Sequence, residues 1–260
     1  MRSDHTNPLK NKGAAIKSEH ANVNTGLDKR PTRIGGMFDE ITPTYDRLNL
    51  IMSASIDRRW RKRTLEELDI HAEDRVLDIA TGTGDMALQA ISMQRCDIVG
   101  LDLSGNMLRT ALDKWREKVD DDPYSVLQGD ALRMPFQDGT FDRAMVAFGI
   151  RNMADIDQFL SEVNRVLRPG GRLAVVEMSV PRLPVVKELF LFYLTKVMPL
   201  VVRMQNGDAS SYRYLCDSII TFPAPKALEG MMEARNLRVM RSIELTLGAC
   251  HIYVLEKGSA

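Results

Sequence analysis

Cysteine is scarce in this chain of 260 residues: Cys96, Cys216 and Cys250 stand alone at wide spacings. An odd, scattered set fits neither a disulfide framework nor a zinc site, so a reducing compartment is expected and a bound metal is not. Net charge is also missing, because 35 Lys plus Arg balance 35 Asp plus Glu. Without an excess of positive charge there is no global attraction to phosphate backbones or anionic lipid, which argues against a nucleic-acid partner. Long hydrophobic runs are absent as well. The longest mostly apolar stretch, Leu189 to Val202, is broken by Lys196 and Pro199 and falls short of the roughly 20 residues that span a bilayer. The N-terminal run Ala14-Ala15-Ile16 is too short for a secretory signal, so the expected location is the cytoplasm. Histidine offers no catalytic constellation. His5 and His20 fall in the N-terminal region, His71 in a loop and His251 in a late strand, where a lone imidazole is more often structural.

What remains is an ordinary globular composition, 44% hydrophobic and 27% charged, enough for a large core. At roughly 150 residues per domain this allows one domain with additions or two small ones. Residues 1–30 are polar and aperiodic and read as a disordered tail. From Met37, apolar residues recur at helical spacing (Phe38, Ile41, Tyr45, Leu48, then Ile51 and Met52), and Asp57 to Leu68 forms a second helix. Thereafter strands alternate with helices. The strands are Arg75–Ile79, Asp97–Leu101, Tyr124–Gln128, Phe141–Ala147 and Arg172–Glu177; the helices are Asp85–Met93, Asn106–Val119 and Ile156–Leu167. This βαβαβ order predicts a doubly wound α/β parallel sheet. A helical segment from Pro184 to Met204, a helix from Ala224 to Arg235 and two runs flanking Thr246-Leu247-Gly248 complete the chain. The last two runs look like an antiparallel pair.

The first strand ends in Asp78-Ile-Ala-Thr-Gly-Thr-Gly-Asp85. Gly82 and Gly84 permit a tight turn and let a ligand approach backbone amides at the following helix. Read as Gly82-x-Gly84-x-x-Ala87 with Asp102 downstream, the turn satisfies the pattern for a nicotinamide dinucleotide as well as for S-adenosylmethionine. Four features favour the latter. Asp78 places a carboxylate where it suits a cationic amino-acid end and repels a pyrophosphate. Asp130 follows the third strand, where an adenine amino group is read. Leu167-Arg-Pro-Gly-Gly171 turns into the fifth strand, and the terminal antiparallel pair is foreign to a dinucleotide half-domain.

These residues carry a resemblance. Asp78 to Asp85, Leu101-Asp-Leu-Ser104, Gly129-Asp130, Leu132 to Phe136 and Leu167 to Gly171 resemble the motifs of class I methyltransferases. More narrowly, Phe38 to Asn49, Phe148-Gly-Ile-Arg-Asn152 and Asp208 to Leu215 resemble the ubiquinone/menaquinone biosynthesis C-methyltransferases, over about Met37 to Lys257. The resemblance implies a Rossmann-like, mostly parallel seven-stranded sheet with a C-terminal antiparallel strand. It also implies one domain over 37–257, opened by helices at 37–69 and capped by a helical substrate region at about 182–222. S-adenosylmethionine is the implied cofactor, held by Asp78, Gly82, Thr83, Gly84, Asp102 with Leu103, Asp130 with Ala131, and Ala147. Some members carry Ser at the Ala147 position, so here only a backbone contact survives.

The implied reaction is C-methylation of a polyprenylated hydroquinone, foremost demethylmenaquinol, with a methoxy-benzoquinol as the alternative within the family. Arg151 and Asn152 are the catalytic residues it carries over, at the carboxyl edge of the sheet. A guanidinium stays protonated, so Arg151 is expected to stabilise a phenolate while water takes the proton. Tyr45, Tyr212 and Tyr214 are candidates for the substrate pocket or for packing. The apolar segment after Pro184 reads as a core helix, a wall for the lipid tail or a membrane-contacting lid. The run Arg58-Arg-Trp-Arg-Lys-Arg63 reads as a solvated helix face, with Trp60, Leu65 and Leu68 on the apolar side. Peripheral contact with the inner face of a membrane and a homodimer are left open.

Overall fold

The computed structural model describes residues 26–53, 55–119, 124–204 and 209–258. Of the expected disordered tail, residues 1–30, the part up to residue 25, with His5 and His20, lies outside the described residues, as does Asp208, while 26–30 form a described segment without regular structure leading into the first helix. Seven strands form one sheet: β1 (Arg75–Ile79), β2 (Asp97–Asp102), β3 (Tyr124–Gln128), β4 (Phe141–Ala147), β5 (Leu167–Met178), β6 (Leu237–Leu245) and β7 (Cys250–Lys257). Their order is β3-β2-β1-β4-β5-β7-β6. β7 runs antiparallel to both its neighbours, and every other adjacent pair is parallel. The strand order reverses between β1 and β4, so a crevice opens beyond their carboxyl ends, where open α/β sheets bind ligands.

Crossover helices α3 (Asp85–Met93), α4 (Gly105–Lys118) and α5 (Ile156–Val166) cover the sheet. α5 shows how the sequence achieves this. Asp155 caps it by accepting a hydrogen bond from the Gln158 N–H at 2.9 Å, and Phe159, Leu160, Val163 and Val166 recur at helical spacing on one fully buried face. The bounds of β1, α3, β3 and β4 coincide with those the sequence predicts. β5 does not, since it starts at Leu167 rather than Arg172. The expected turn at Leu167 to Gly171 is an irregularity within the strand: Leu167 pairs with Phe141, the register shifts, and Gly170 takes φ 75°.

Helix α1 (Pro31–Ser53) begins six residues ahead of the expected Met37. Pro31 sits in its first turn, where its missing N–H costs nothing. Ile34 and Met37 are its buried anchors, and the intervening Gly35-Gly36 hides that periodicity in the sequence. Gly35 brings the helix close to the turn after β2, for a Cβ there would just touch the Leu103 carbonyl at 3.4 Å. Pro43 lies inside the helix and offers no N–H to the Asp39 carbonyl. That carbonyl instead accepts from Asn106 Nδ2 at 3.2 Å. The Asp39 carboxylate adds bonds from the Ser104 hydroxyl (2.6 Å) and the Asn106 N–H (2.9 Å). α1 is thereby fastened to the start of α4.

Helix α2 (Ile56–Leu68) buries Trp60, Leu65 and Leu68 and exposes Arg58, Arg59, Lys62 and Arg63, as a solvated basic face requires. Arg61 departs from that reading, for it points inward and is buried. Beyond β5, α6 (Pro184–Phe192), a π-helical turn (Tyr193–Val197), α7 (Met198–Met204) and α8 (Ala209–Ile220) form a helical cap, and α9 (Pro225–Ala234) precedes β6. Leu194, Met198 and Val202 pack on Tyr212, Cys216 and Ile219. Val185, Leu189, Phe192 and Leu200 point outward, so the segment is a core helix on one side only.

Phe159 has no exposed surface and lies within the main core. Phe159→Ala should lower stability in urea unfolding by roughly 3–5 kcal/mol. A loss under about 1 kcal/mol would show that α5 does not pack as described.

Candidate active site at the carboxyl edge of the sheet

Two cavities meet beyond the ends of β1 and β4. The smaller, about 70 Å³, is lined by Ala80, Gly82, Asp102, Leu103, Ala131 and Ala147, and roofed by Ile34, Phe38 and Tyr45 of α1. The larger, about 350 Å³, is enclosed by α1, α2, the cap helices and the turn after β4. Phe38, Tyr45, Phe148 and Asn152 belong to both linings. These four residues therefore form the wall between the cavities.

The smaller cavity has the chemistry of a nucleoside site. The β1–α3 turn brings Gly82 to φ 56° and its N–H to Asp102 Oδ2 at 2.8 Å, while Asp102 Oδ1 accepts from the Ser104 N–H at 2.8 Å. With backbone donors from Gly82, Leu103 and Ser104, the carboxylate still keeps acceptor capacity for a hydroxyl. Burial raises the pKa of Asp102, and the backbone donors oppose that rise. Leu101, Met107, Ala131 and Met153 supply apolar walls for a flat ring. Gly149 lets the backbone after β4 close on β1, because a Cβ there would lie 2.8 Å from the Ala80 Cβ. Ala80 (φ 54°) and Phe148 (φ 58°) both adopt left-handed backbone beside this cavity, a strain that concentrates at functional sites.

Other expected cofactor residues are placed differently. Asp78 is buried beneath the turn and accepts from the Thr81 hydroxyl at 2.6 Å, away from both cavities. Burial pushes its carboxyl up to about 7, against the lowering effects of that hydroxyl and of Arg61. Thr83 donates to Asp46 at 2.7 Å and accepts from Lys114 at 2.9 Å, so its hydroxyl ties α1 and α4 together. Gly84 (φ 79°) precedes α3 and packs against Ala111. Asp130 accepts from the Leu132 N–H at 2.9 Å, and its neighbour Ala131 is the one that reaches the cavity.

Arg151 and Asn152 occupy a 3-10 turn after β4 and line the larger cavity. Arg151 Nη1 donates to Glu177 Oε1 and to the Phe148 carbonyl, both at 2.6 Å, and its backbone N–H reaches Glu177 Oε2 at 3.3 Å. Its Nε is buried without a hydrogen-bond partner. The Tyr214 hydroxyl donates to Asn152 Oδ1 at 3.2 Å, and burial pushes that phenol up to about 12. Burial likewise raises Tyr45, whose hydroxyl bonds Asn49. Tyr212 lines the cavity, but its hydroxyl is spent on the Leu194 carbonyl at 2.7 Å. Burial, and then the charge of Arg151, lowers the pKa of Lys29.

Sequence reasoning missed Glu177 and Arg61. Glu177 is the one charged residue in the otherwise apolar run Leu173–Met178, and a carboxylate in a buried strand demands a cationic partner. Arg61 stands four residues after Asp57, the spacing of an ion pair on one helix face. His251 is structural, as expected: its Nδ1 bonds the buried Ser179 hydroxyl at 2.9 Å.

Sheet order, glycine turn and ribose-type acid define a class I S-adenosylmethionine-dependent methyltransferase. The ubiE/COQ5 methyltransferase family matches residues 27–257, and the chain belongs to that family. A ubiquinone/menaquinone biosynthesis C-methyltransferase UbiE from Geobacter sp. (strain M21) is 38% identical over 234 residues, 88% of this chain and 97% of its own length. A demethylmenaquinone methyltransferase from Thermus thermophilus is 41% identical over 221 residues, 84% of this chain and 98% of its own. Among solved structures, a SAM dependent methyltransferase from Aquifex aeolicus has a TM-score of 0.57 at 18% identity, covering 88% of this chain and 98% of its own, a likeness of fold alone.

Asp78 generates a pH prediction. Its folded-state value of about 7 exceeds the ordinary carboxylate value, so the folded chain keeps a proton that the unfolded chain releases above about pH 4. The stabilisation is complete below about pH 4 and is lost as pH rises to about 7. Urea unfolding should show stability falling across that range relative to Asp78→Asn. Parallel curves for the two proteins would mean that Asp78 is ionised in the fold.

Proposed function

We propose that this methyltransferase acts on a ring carbon of a polyprenylated hydroquinone, converting demethylmenaquinol to menaquinol. The observation that carries this reading is the shared wall of Phe38, Tyr45, Phe148 and Asn152. It joins a nucleoside-type niche to an apolar chamber holding a buried guanidinium. The Thermus relative's name supports the naphthoquinol, and the Geobacter relative's name, covering both quinones, keeps a polyprenyl methoxy-benzoquinol as the second substrate.

In this reading Asp102, Leu103 and Ala131 hold the nucleoside of S-adenosylmethionine, with Gly82 and Ala147 offering backbone. When bound, that cofactor supplies an electrophilic methyl group, taken by the ring carbon as the carbon–sulfur bond breaks, after which the ring proton leaves to water. The chain's part is alignment and charge. Arg151 is a fixed cation, since Glu177 and the Phe148 carbonyl hold one end of the guanidinium. It stabilises phenolate oxygen, raising electron density on the neighbouring ring carbon, while water accepts the phenolic proton. Tyr45 and Tyr214 remain neutral phenols and act as donors rather than bases.

Arg151→Ala should reduce turnover of short-chain demethylmenaquinol by about 10²–10³ and leave S-adenosylmethionine affinity by titration calorimetry within about twofold. Because the change leaves Glu177 buried without its partner, the Arg151→Met/Glu177→Gln pair is measured beside it. Undiminished turnover in both would remove Arg151 from the reaction.

The lipid tail also needs a route. None of the described helices is long and apolar enough to cross a membrane. We propose that the outward face of α6 and α7 rests on a lipid surface. Val185 (70% exposed), Leu189 (64%) and Met204 (81%) mark that face, on the helices whose other side borders the chamber. Sedimentation with anionic vesicles should fall sharply in Val185→Ser/Leu189→Ser. Unchanged sedimentation, or a monomer–dimer shift in light scattering, would instead assign the face elsewhere or to a second copy.

A further inference from the structure

The substrate chamber holds a second guanidinium. Arg61 lines it together with Ser53, Asp57 and Trp60. Arg61 Nη1 is paired with Asp57 Oδ2, and their side chains are only 9% and 13% exposed. Asp57 also accepts from the Ser53 hydroxyl at 2.5 Å. The Arg61 guanidinium carbon sits 5.3 Å from the centroid of the Phe148 ring. Arg151 binds the carbonyl of that same Phe148. Two cations therefore bracket one residue, one from α2 and one from the turn after β4. The Tyr45 hydroxyl, which lines the chamber, lies in the field of both.

A buried ion pair costs more to desolvate than apolar side chains of the same size. Trp60 already anchors α2, through its indole N–H to the Thr246 hydroxyl at 3.1 Å. A guanidinium facing an apolar chamber supplies something packing does not, a donor set for a ligand oxygen. The substrate of the function proposed above carries two oxygens, para to each other. One adjoins the reacting carbon and is the oxygen that Arg151 stabilises.

We propose that Arg61, positioned by Asp57 and Phe148, binds the second oxygen, the one distal to the reacting carbon. The inference rests on the hydroquinone reading. Arg61 then acts in recognition rather than in chemistry: it selects a 1,4-dihydroxy ring over a monophenol and sets which ring edge faces the cofactor niche. The distal oxygen is meta to the reacting carbon and contributes little to its nucleophilicity, so its loss should appear in KM more than in kcat.

The test compares a short-chain 2-prenyl-1,4-naphthalenediol with 3-prenyl-1-naphthol, which keeps the oxygen beside the reacting carbon and lacks the distal one. The wild-type enzyme should show a KM at least about tenfold lower for the diol. Arg61→Met should raise KM for the diol to that of the monophenol with kcat within about threefold, and should leave the monophenol unaffected, the non-additivity expected of interacting groups. The Asp57→Asn/Arg61→Met pair, which leaves no unpaired carboxylate, should behave alike, and Arg151→Ala should keep the preference for the diol. Equal wild-type KM values for the two compounds would overturn the proposal without any variant, as would a diol preference that survives both Arg61 substitutions. Methylation of neither compound by the wild-type enzyme would overturn the substrate reading itself, and this inference with it.

Discussion

The buried carboxylate of Glu177 is the point on which the site's geometry turns. It accepts from the Arg151 guanidinium, from the Arg151 backbone N–H and from the Met178 N–H. These bonds lock the end of β5 to the turn that follows β4. Because β4 is itself paired with β1, the same interaction fixes the wall against which both cavities open. An uncompensated charge at this depth is costly, so neither partner can leave the arrangement alone. The Arg151 cation is thereby held in place by the end of β5.

The roof depends on a different balance. α1 covers the smaller cavity with Ile34, Phe38 and Tyr45, yet its outer turns carry little burial of their own. Polar contacts act beside the buried anchors Ile34 and Met37: Asp39 on the start of α4, and Asp46 on Lys114, with Thr83 between them. Such bonds contribute modestly and exchange with water.

Much of this was legible in the residues. Strand and helix order followed from alternating periodicities, and the glycine turn with its downstream acid pointed to a nucleoside cofactor. The residues that reach the smaller cavity, Asp102, Leu103, Ala131 and Ala147, came from the family resemblance, and the fold places them at or just beyond the ends of β2, β3 and β4. Thr83 and Asp78 were legible as motif but not as geometry. Asp78 lies near the end of β1 and Thr83 sits in the glycine turn after it, and only the folded backbone shows that their oxygens face Thr81 and α1 instead of the cavity. Arg61 was hidden by its neighbours, since four exposed basic residues around it made the helix look uniformly solvated. Periodicity assigns faces, and a single inward charge next to a Trp falls on the boundary between two of them.

The place of β7 in the sheet bears on how the molecule is made. Residues Cys250–Lys257 lie between β5 and β6, yet they follow every other strand in the chain. Without them β5 would present an open edge of Leu173, Ala174, Val175 and Val176, all buried in the finished sheet. An apolar strand waiting for its partner is the kind of edge that invites wrong pairing. The parallel half, the glycine turn and the Arg151–Glu177 pair are all synthesised before the strand that completes the sheet.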